Sequence, residues 1–283
     1  MIFLKKLGCA AALAACVGGA YAAPVMNNWT FDPSGPGGAA GVKINEYLDV
    51  NGNGFIQLTK SGPSAFTFVE HAVFNISQYD SLSRPFPGAY VTATMEAYGA
   101  GNFSGEFAFT SGVIRMYSSP TSKYAGTQGY YGANVGTLIG EFTMLQGGGG
   151  RVDASGDPTN NGDVSVFTTA SKGALKAGYF FNNHGVDMST LDNFAFAFTN
   201  ANTVGKPGKT LVSELVCQFS GYTGSGCKAG ANPGTYQNIA GKQFVVSNNG
   251  QFKFLASEVP EPGSVALFGI ALFCIGALRR RVK

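Results

Sequence analysis

Along the middle of the chain, apolar residues recur at every second position in short runs, and polar clusters separate the runs. Phe66 and Phe68, Phe107 and Phe109, and Phe194, Phe196 and Phe198 show this two-residue period, which puts alternate side chains on opposite faces of a strand. Val, Thr, Tyr and Phe crowd the same runs, as pleated, half-buried surfaces favour. Strands are predicted over 55–58, 65–76, 89–98, 103–117, 138–145, 164–169, 175–181, 194–198, 211–219, 243–247 and 252–255. Asn51-Gly52, Asn53-Gly54, Ser111-Gly112, Asn161-Gly162 and Asn249-Gly250 read as turns between them. About eleven short strands at this spacing predict an all-β domain, an antiparallel β-sandwich or jelly roll.

The two ends break the pattern. Lys5 and Lys6 precede an apolar run over 7–19, and Ala20-Tyr21-Ala22 follows it. Charge, short apolar run and small residues in that order predict a signal peptide over 1–22, cut by signal peptidase between Ala22 and Ala23. Leu13-Ala14-Ala15-Cys16 also resembles the lipobox of bacterial lipoproteins, which would make Cys16 a lipidated first residue. At the other end, Val259-Pro260-Glu261-Pro262 leads into an uncharged apolar run over 265–278, closed by Arg279, Arg280 and Arg281. The run is near the lower length for a membrane-spanning helix. Arginines on its far side place residues 23–258 outside the cytoplasm. Pro260 and Pro262 hold Glu261 in an extended segment at the membrane surface, within reach of a protease. The expected organisation is a signal peptide (1–22), a β-rich exported domain (23–258) and a short transmembrane tail (259–283).

Composition narrows the class of the middle. The chain has 41 Gly among 283 residues and only 12% charged residues, against usual levels of about 7% and about 25%. With 45% apolar residues it is too hydrophobic for disorder, and its glycines lack the three-residue period of collagen. The formal charge of +3 comes from the ends. Without Lys5, Lys6, Arg279, Arg280, Arg281 and Lys283, 13 Lys and Arg face 16 Asp and Glu, about −3. A sparsely charged, mildly acidic body offers no patch for nucleic acid.

Candidate chemistry is thin. Cys9 and Cys16 leave with the signal peptide and Cys274 lies in the tail, so Cys217 and Cys227 remain in the exported body. One pair in an oxidising compartment, joined by a Gly/Ser/Thr-rich turn, predicts a disulfide. Asp49, Asn51 and Asn53, followed by Gly54 and Ile56, reproduce the first half of a calcium loop. Lys60 stands where the closing carboxylate belongs, so calcium is a weak candidate ligand and an Asn-Gly turn is the competing reading. Asp153, Asp157 and Asp163 sit in another polar stretch. Gly147 to Gly150 lacks the Lys and Ser/Thr of a phosphate loop and reads as a flexible loop. Glu70, His71 and His184 fall into no catalytic motif. Trp29, Tyr124, Tyr130 and Tyr131 lie among Gly, Asn and Thr, as aromatic platforms for sugars do.

Pro260-Glu261-Pro262, the short hydrophobic run and the terminal arginines together resemble the PEP-CTERM sorting signal of Gram-negative bacteria. That resemblance implies recognition by a membrane-embedded exosortase, passage through an inner-membrane precursor, removal of the tail and delivery to the cell surface or extracellular matrix. Stretches 66–70, 131–140 and 175–181 of the body are similar to flocculation-associated PEP-CTERM surface proteins. This implies a role in holding cells in an exopolysaccharide matrix and carries over no catalytic residues. The expectation is a non-enzymatic exported protein acting in exopolysaccharide association, biofilm or floc formation. The alternatives are a secreted carbohydrate-active enzyme and a calcium-dependent carbohydrate-binding module.

Overall fold

The alternating runs become long strands in the computed structural model, which describes residues 24–38, 40–82, 85–159, 161–230 and 232–256. In chain order they are β1 (Trp29–Phe31), β2 (Val42–Ile44), β3 (Leu48–Lys60), β4 (Ala65–Tyr79), β5 (Tyr90–Asn102), β6 (Glu106–Ser119), β7 (Thr137–Met144), β8 (Gly150–Arg151), β9 (Gly162–Ala170), β10 (Phe180–Phe181), β11 (Asn193–Thr203) and β12 (Gln243–Leu255). Strands β3, β4, β5, β6, β7, β9, β11 and β12 pair antiparallel, each with the next. The last then pairs with the first, from Gln243↔Gln57 to Phe252↔Leu48. The result is a closed eight-stranded antiparallel barrel with β8 as an extra strand.

This corrects the expected sandwich or jelly roll. Both architectures bury one residue in two, so alternation alone cannot separate two facing sheets from one sheet closed on itself. The Asn-Gly pairs, expected as turns, carry the missing information. Asn51-Gly52, Asn53-Gly54 and Asn249-Gly250 lie inside β3 and β12, and Ser111-Gly112 lies inside β6. Only Asn161-Gly162 stands at a strand start, with Asn161 in the left-handed region (φ 56°). Glycine within a strand marks bends and close backbone approach, which barrel closure requires. At the expected loop over Gly147 to Gly150, Gly147 and Gly148 lie outside any strand, and Gly149 and Gly150 rejoin the wall. Gly147, Gly148 and Gly149 take φ of 103°, 71° and 126°, and a Cβ on Gly149 would run into the Phe107 carbonyl. The chain kinks there and re-pairs with β6 as β8.

Inward-facing Phe66, Phe68, Phe109, Met95, Ile114 and Val246 fill the interior. A small sheet in the order β10-β1-β2 brings an aromatic plug to it. Trp29 is fully buried, edge-on to Phe254 at 5.1 Å, and Phe31 stacks on Phe180 at 5.0 Å. Trp29 is therefore core and no surface platform.

One predicted strand, 211–219, is a helix. A turn over Lys209–Leu211 continues as a π-helix over Val212–Phe219. Leu211, Val212, Leu215, Val216 and Phe219 recur at helical spacing. Val212, Leu215 and Val216 are laid on Phe55, Val73 and Val245 of the outer barrel wall. Among the described residues no helix is long and apolar enough to cross a membrane, and the expected tail helix lies outside them.

The expected disulfide is present. Cys217, in the helix, is bridged to Cys227, with Cα atoms 5.2 Å apart. Closing so short a loop stabilises by about 2–3 kcal/mol through the unfolded chain. The double variant Cys217→Ser/Cys227→Ser should lose that amount in chemical denaturation, and an unchanged midpoint would show that the bridge adds no stability.

Candidate functional site

On the outer face, strands β4, β3, β12 and β11 lie side by side and present asparagines at matching levels. Asn75 is directly opposite Asn51, Asn51 opposite Asn249, and Asn249 opposite Asn200. Two residues along, Asn53 is opposite Ser247 and Ser247 opposite Asn202. Neighbouring strands are about 4.8 Å apart, so the first row spans about 14 Å. The rows line an open depression of about 420 Å³, with Tyr124 at its rim.

The sequence builds this surface by alternation. In Asn51-Gly52-Asn53-Gly54 the asparagines face out and the glycines face in. A Cβ on Gly52 would run into the Val73 carbonyl of the paired strand and the Phe74 ring, which lines the interior at that level. Glycine inside lets the strand bend, and asparagine outside keeps its amide in solvent. Beyond the second row the same outer face turns apolar, through Phe55, Val73 and Val245, and the helix covers it.

Some of these polar groups are engaged. The Tyr124 hydroxyl donates to the Val73 carbonyl at 3.3 Å, and its side chain also pairs with Asn53. Burial pushes the Tyr124 phenol well above its ordinary range, so it stays neutral. The Asn202 side-chain oxygen accepts from the Asn161 N–H at 2.8 Å. The amides of Asn51, Asn75, Asn200 and Asn249 have no hydrogen-bond partner among the described residues and line the depression. Each offers two donors and an acceptor. No charged residue lines the depression. Such a surface suits a neutral, hydroxyl-rich ligand.

Of the aromatic candidates, Tyr124 and Tyr131 meet edge to face at 5.3 Å. Tyr130 stacks on Phe219 at 4.3 Å. All three are partly buried against the helix cluster.

The calcium-loop spacing is not built as a loop. Asp49, Asn51 and Asn53 lie along β3, and an extended strand separates alternate residues by about 7 Å, too far for them to wrap one ion. Asp49 instead accepts from the Ser81 N–H at 3.1 Å. Burial raises its carboxyl and Asp80 adds to this, while the Ser81 bond opposes it. Among the described residues no three His, Cys, Asp or Glu side chains gather as a metal site. Asp153 is a loop brace, accepting from the Ser155 and Asp157 N–H groups at 2.7 and 3.1 Å. His71 lies 4.0 Å from Glu96. Burial lowers its ring from the ordinary range, against the Glu96 charge. His184 sits in a turn organised by Asn182. The processing residues Ala22, Ala23, Pro260, Glu261, Pro262, Arg279, Arg280 and Arg281 lie outside the described residues.

Residues 258–281 match the PEP-CTERM protein-sorting motif. This motif indicates exosortase-dependent export to the surface of a Gram-negative cell. No curated protein and no solved structure matches the chain.

Sequence reasoning reaches Asn51, Asn53 and Asn249 for other purposes and does not single out Asn75, Asn200, Asn202 or Ser247. A usable signal was present: Asn is depleted in strands, yet Asn51/Asn53 and Asn200/Asn202 keep the strand period. If these residues serve a ligand and not the fold, the double variant Asn51→Thr/Asn249→Thr should match or exceed the parent in thermal stability, within about 0.5 kcal/mol. A loss above about 2 kcal/mol would make them structural.

Proposed function

We propose that the exported protein binds matrix polysaccharide through the paired asparagine rows, without turnover, and so helps to hold cells in a biofilm or floc. The observation that carries this reading is the register of Asn75, Asn51, Asn249 and Asn200 across four adjacent strands. A row of amides at strand spacing offers donors and acceptors at a repeat comparable with the rise of one sugar in an extended glycan. Tyr124, which lines the depression, can stack on sugar CH faces. The lining holds no carboxylate, whereas glycoside hydrolysis uses a facing pair, which favours binding over cleavage. Exosortase-dependent sorting would deliver many copies to the surface, and multivalency would turn weak contacts into firm retention.

The test is co-sedimentation of the purified exported protein with exopolysaccharide from its host. Binding without release of reducing ends is expected. Asn51→Ala/Asn249→Ala should weaken it by about tenfold, as losing several neutral hydrogen bonds implies. Release of reducing ends that one Asp or Glu substitution abolishes would show an enzyme and overturn the reading.

A further inference from the structure

The inside of the same wall carries a different feature. The barrel interior holds a cavity of about 90 Å³, walled by Phe68, Met95, Phe109 and Val246 among other apolar side chains. Into it projects one carboxyl, Glu70 of β4, which is 8% exposed. It has no hydrogen-bond partner among the described residues, and every other residue lining the cavity is non-titratable. The space for it is made by a glycine. A Cβ on Gly54 would lie 2.7 Å from Glu70 Oε1, 3.2 Å from Val246 Cγ2 and 3.4 Å from Asn248 Nδ2. Asn248, 7% exposed, lies on the other side of that glycine position and is a polar residue of the same lining.

A lone carboxyl in an apolar core is a standing penalty on the fold. Burial pushes Glu70 up to about 7. The unfolded chain, near 4.5, gives up the Glu70 proton first as pH rises. Glu70's own contribution to stability therefore falls between about 4.5 and about 7. A partner that brings a positive charge would remove this penalty, and the lining contains no Lys, Arg or His to do so. The volume exceeds what several waters need, at roughly 10–15 Å³ each, and admits a small organic molecule.

We propose that the barrel interior binds a small apolar primary amine, its ammonium paired with Glu70 and its hydrocarbon part in the surrounding cavity. The ammonium has three donors; the carboxylate accepts two and the Asn248 side-chain carbonyl the third. An alcohol could fill the same space but would leave the carboxylate without a counter-charge. The amine site lies inside the barrel and does not depend on sugar binding by the outer wall.

The probes are hexylamine, hexanol and hexanoate, titrated calorimetrically into the exported protein at pH 8 and pH 5. Glu70 must lose its proton for the amine to pair with it. Hexylamine affinity should therefore be about a hundredfold weaker at pH 5, one decade per unit below the Glu70 value. At pH 8 hexylamine should bind at least about tenfold tighter than hexanol, and hexanoate weakest. Hexylamine should also raise the melting temperature more at pH 8 than at pH 5, and Glu70→Gln should remove that difference. Glu70→Gln should abolish the preference for amine over alcohol. The wild-type pH series makes the same test without any variant. Absence of hexylamine binding at pH 8, equal affinity for amine and alcohol, or a pH-independent affinity would each overturn the proposal.

Discussion

The hydrogen-bonded seam between β3 and β12 is the interaction on which the rest of this structure depends. It joins the first long strand to the last, from Gln243↔Gln57 to Phe252↔Leu48, and removes the two edges that an open sheet would expose. It also has a chemical consequence. Asn51 and Asn53 lie near the start of the folded body and Ser247 and Asn249 near its end, and only closure sets these two pairs side by side. Without the seam there would be no two-row amide surface and no enclosed interior.

One wall therefore serves two environments. In β3, β4 and β12 outward residues make the amide rows and the seat of the helix, and inward residues make the cavity that holds Glu70. The glycines reconcile the two sides. Gly52 yields space to the Phe74 ring and Gly54 to the Glu70 carboxyl, so polar groups occupy adjacent positions on a strand without crowding its core. The disulfide and helix close the apolar part of the outer face, leaving the amide part open beside Tyr124.

Much of the fold was legible in the sequence, for a physical reason. Strand alternation is local, so Phe66/Phe68 and Phe194/Phe196 marked β4 and β11 directly. The cysteine pair left one partner for each thiol, and the bridge follows. Closure was not legible, because register between strands distant in sequence is a tertiary property. The helix over 211–219 was missed because a short apolar run resembles a strand unless its spacing is counted. Asn-Gly pairs misled because the residues that favour turns also let a barrel wall bend. The asparagine rows were half visible, as an unusual amide period within strands, but their alignment needed the pairing.

The most direct test of the central claim, that the aligned outward amides are the ligand-binding surface, is side-chain amide nuclear magnetic resonance. Isotope-labelled exported protein would be titrated with fragments of the host exopolysaccharide. The account predicts that the amide signals of Asn51, Asn75, Asn200 and Asn249 shift together and saturate at one concentration, while the methyl signals of Met95 and Val246 inside the barrel stay in place. Saturating shifts confined to another face, with those four amides unmoved, would contradict it.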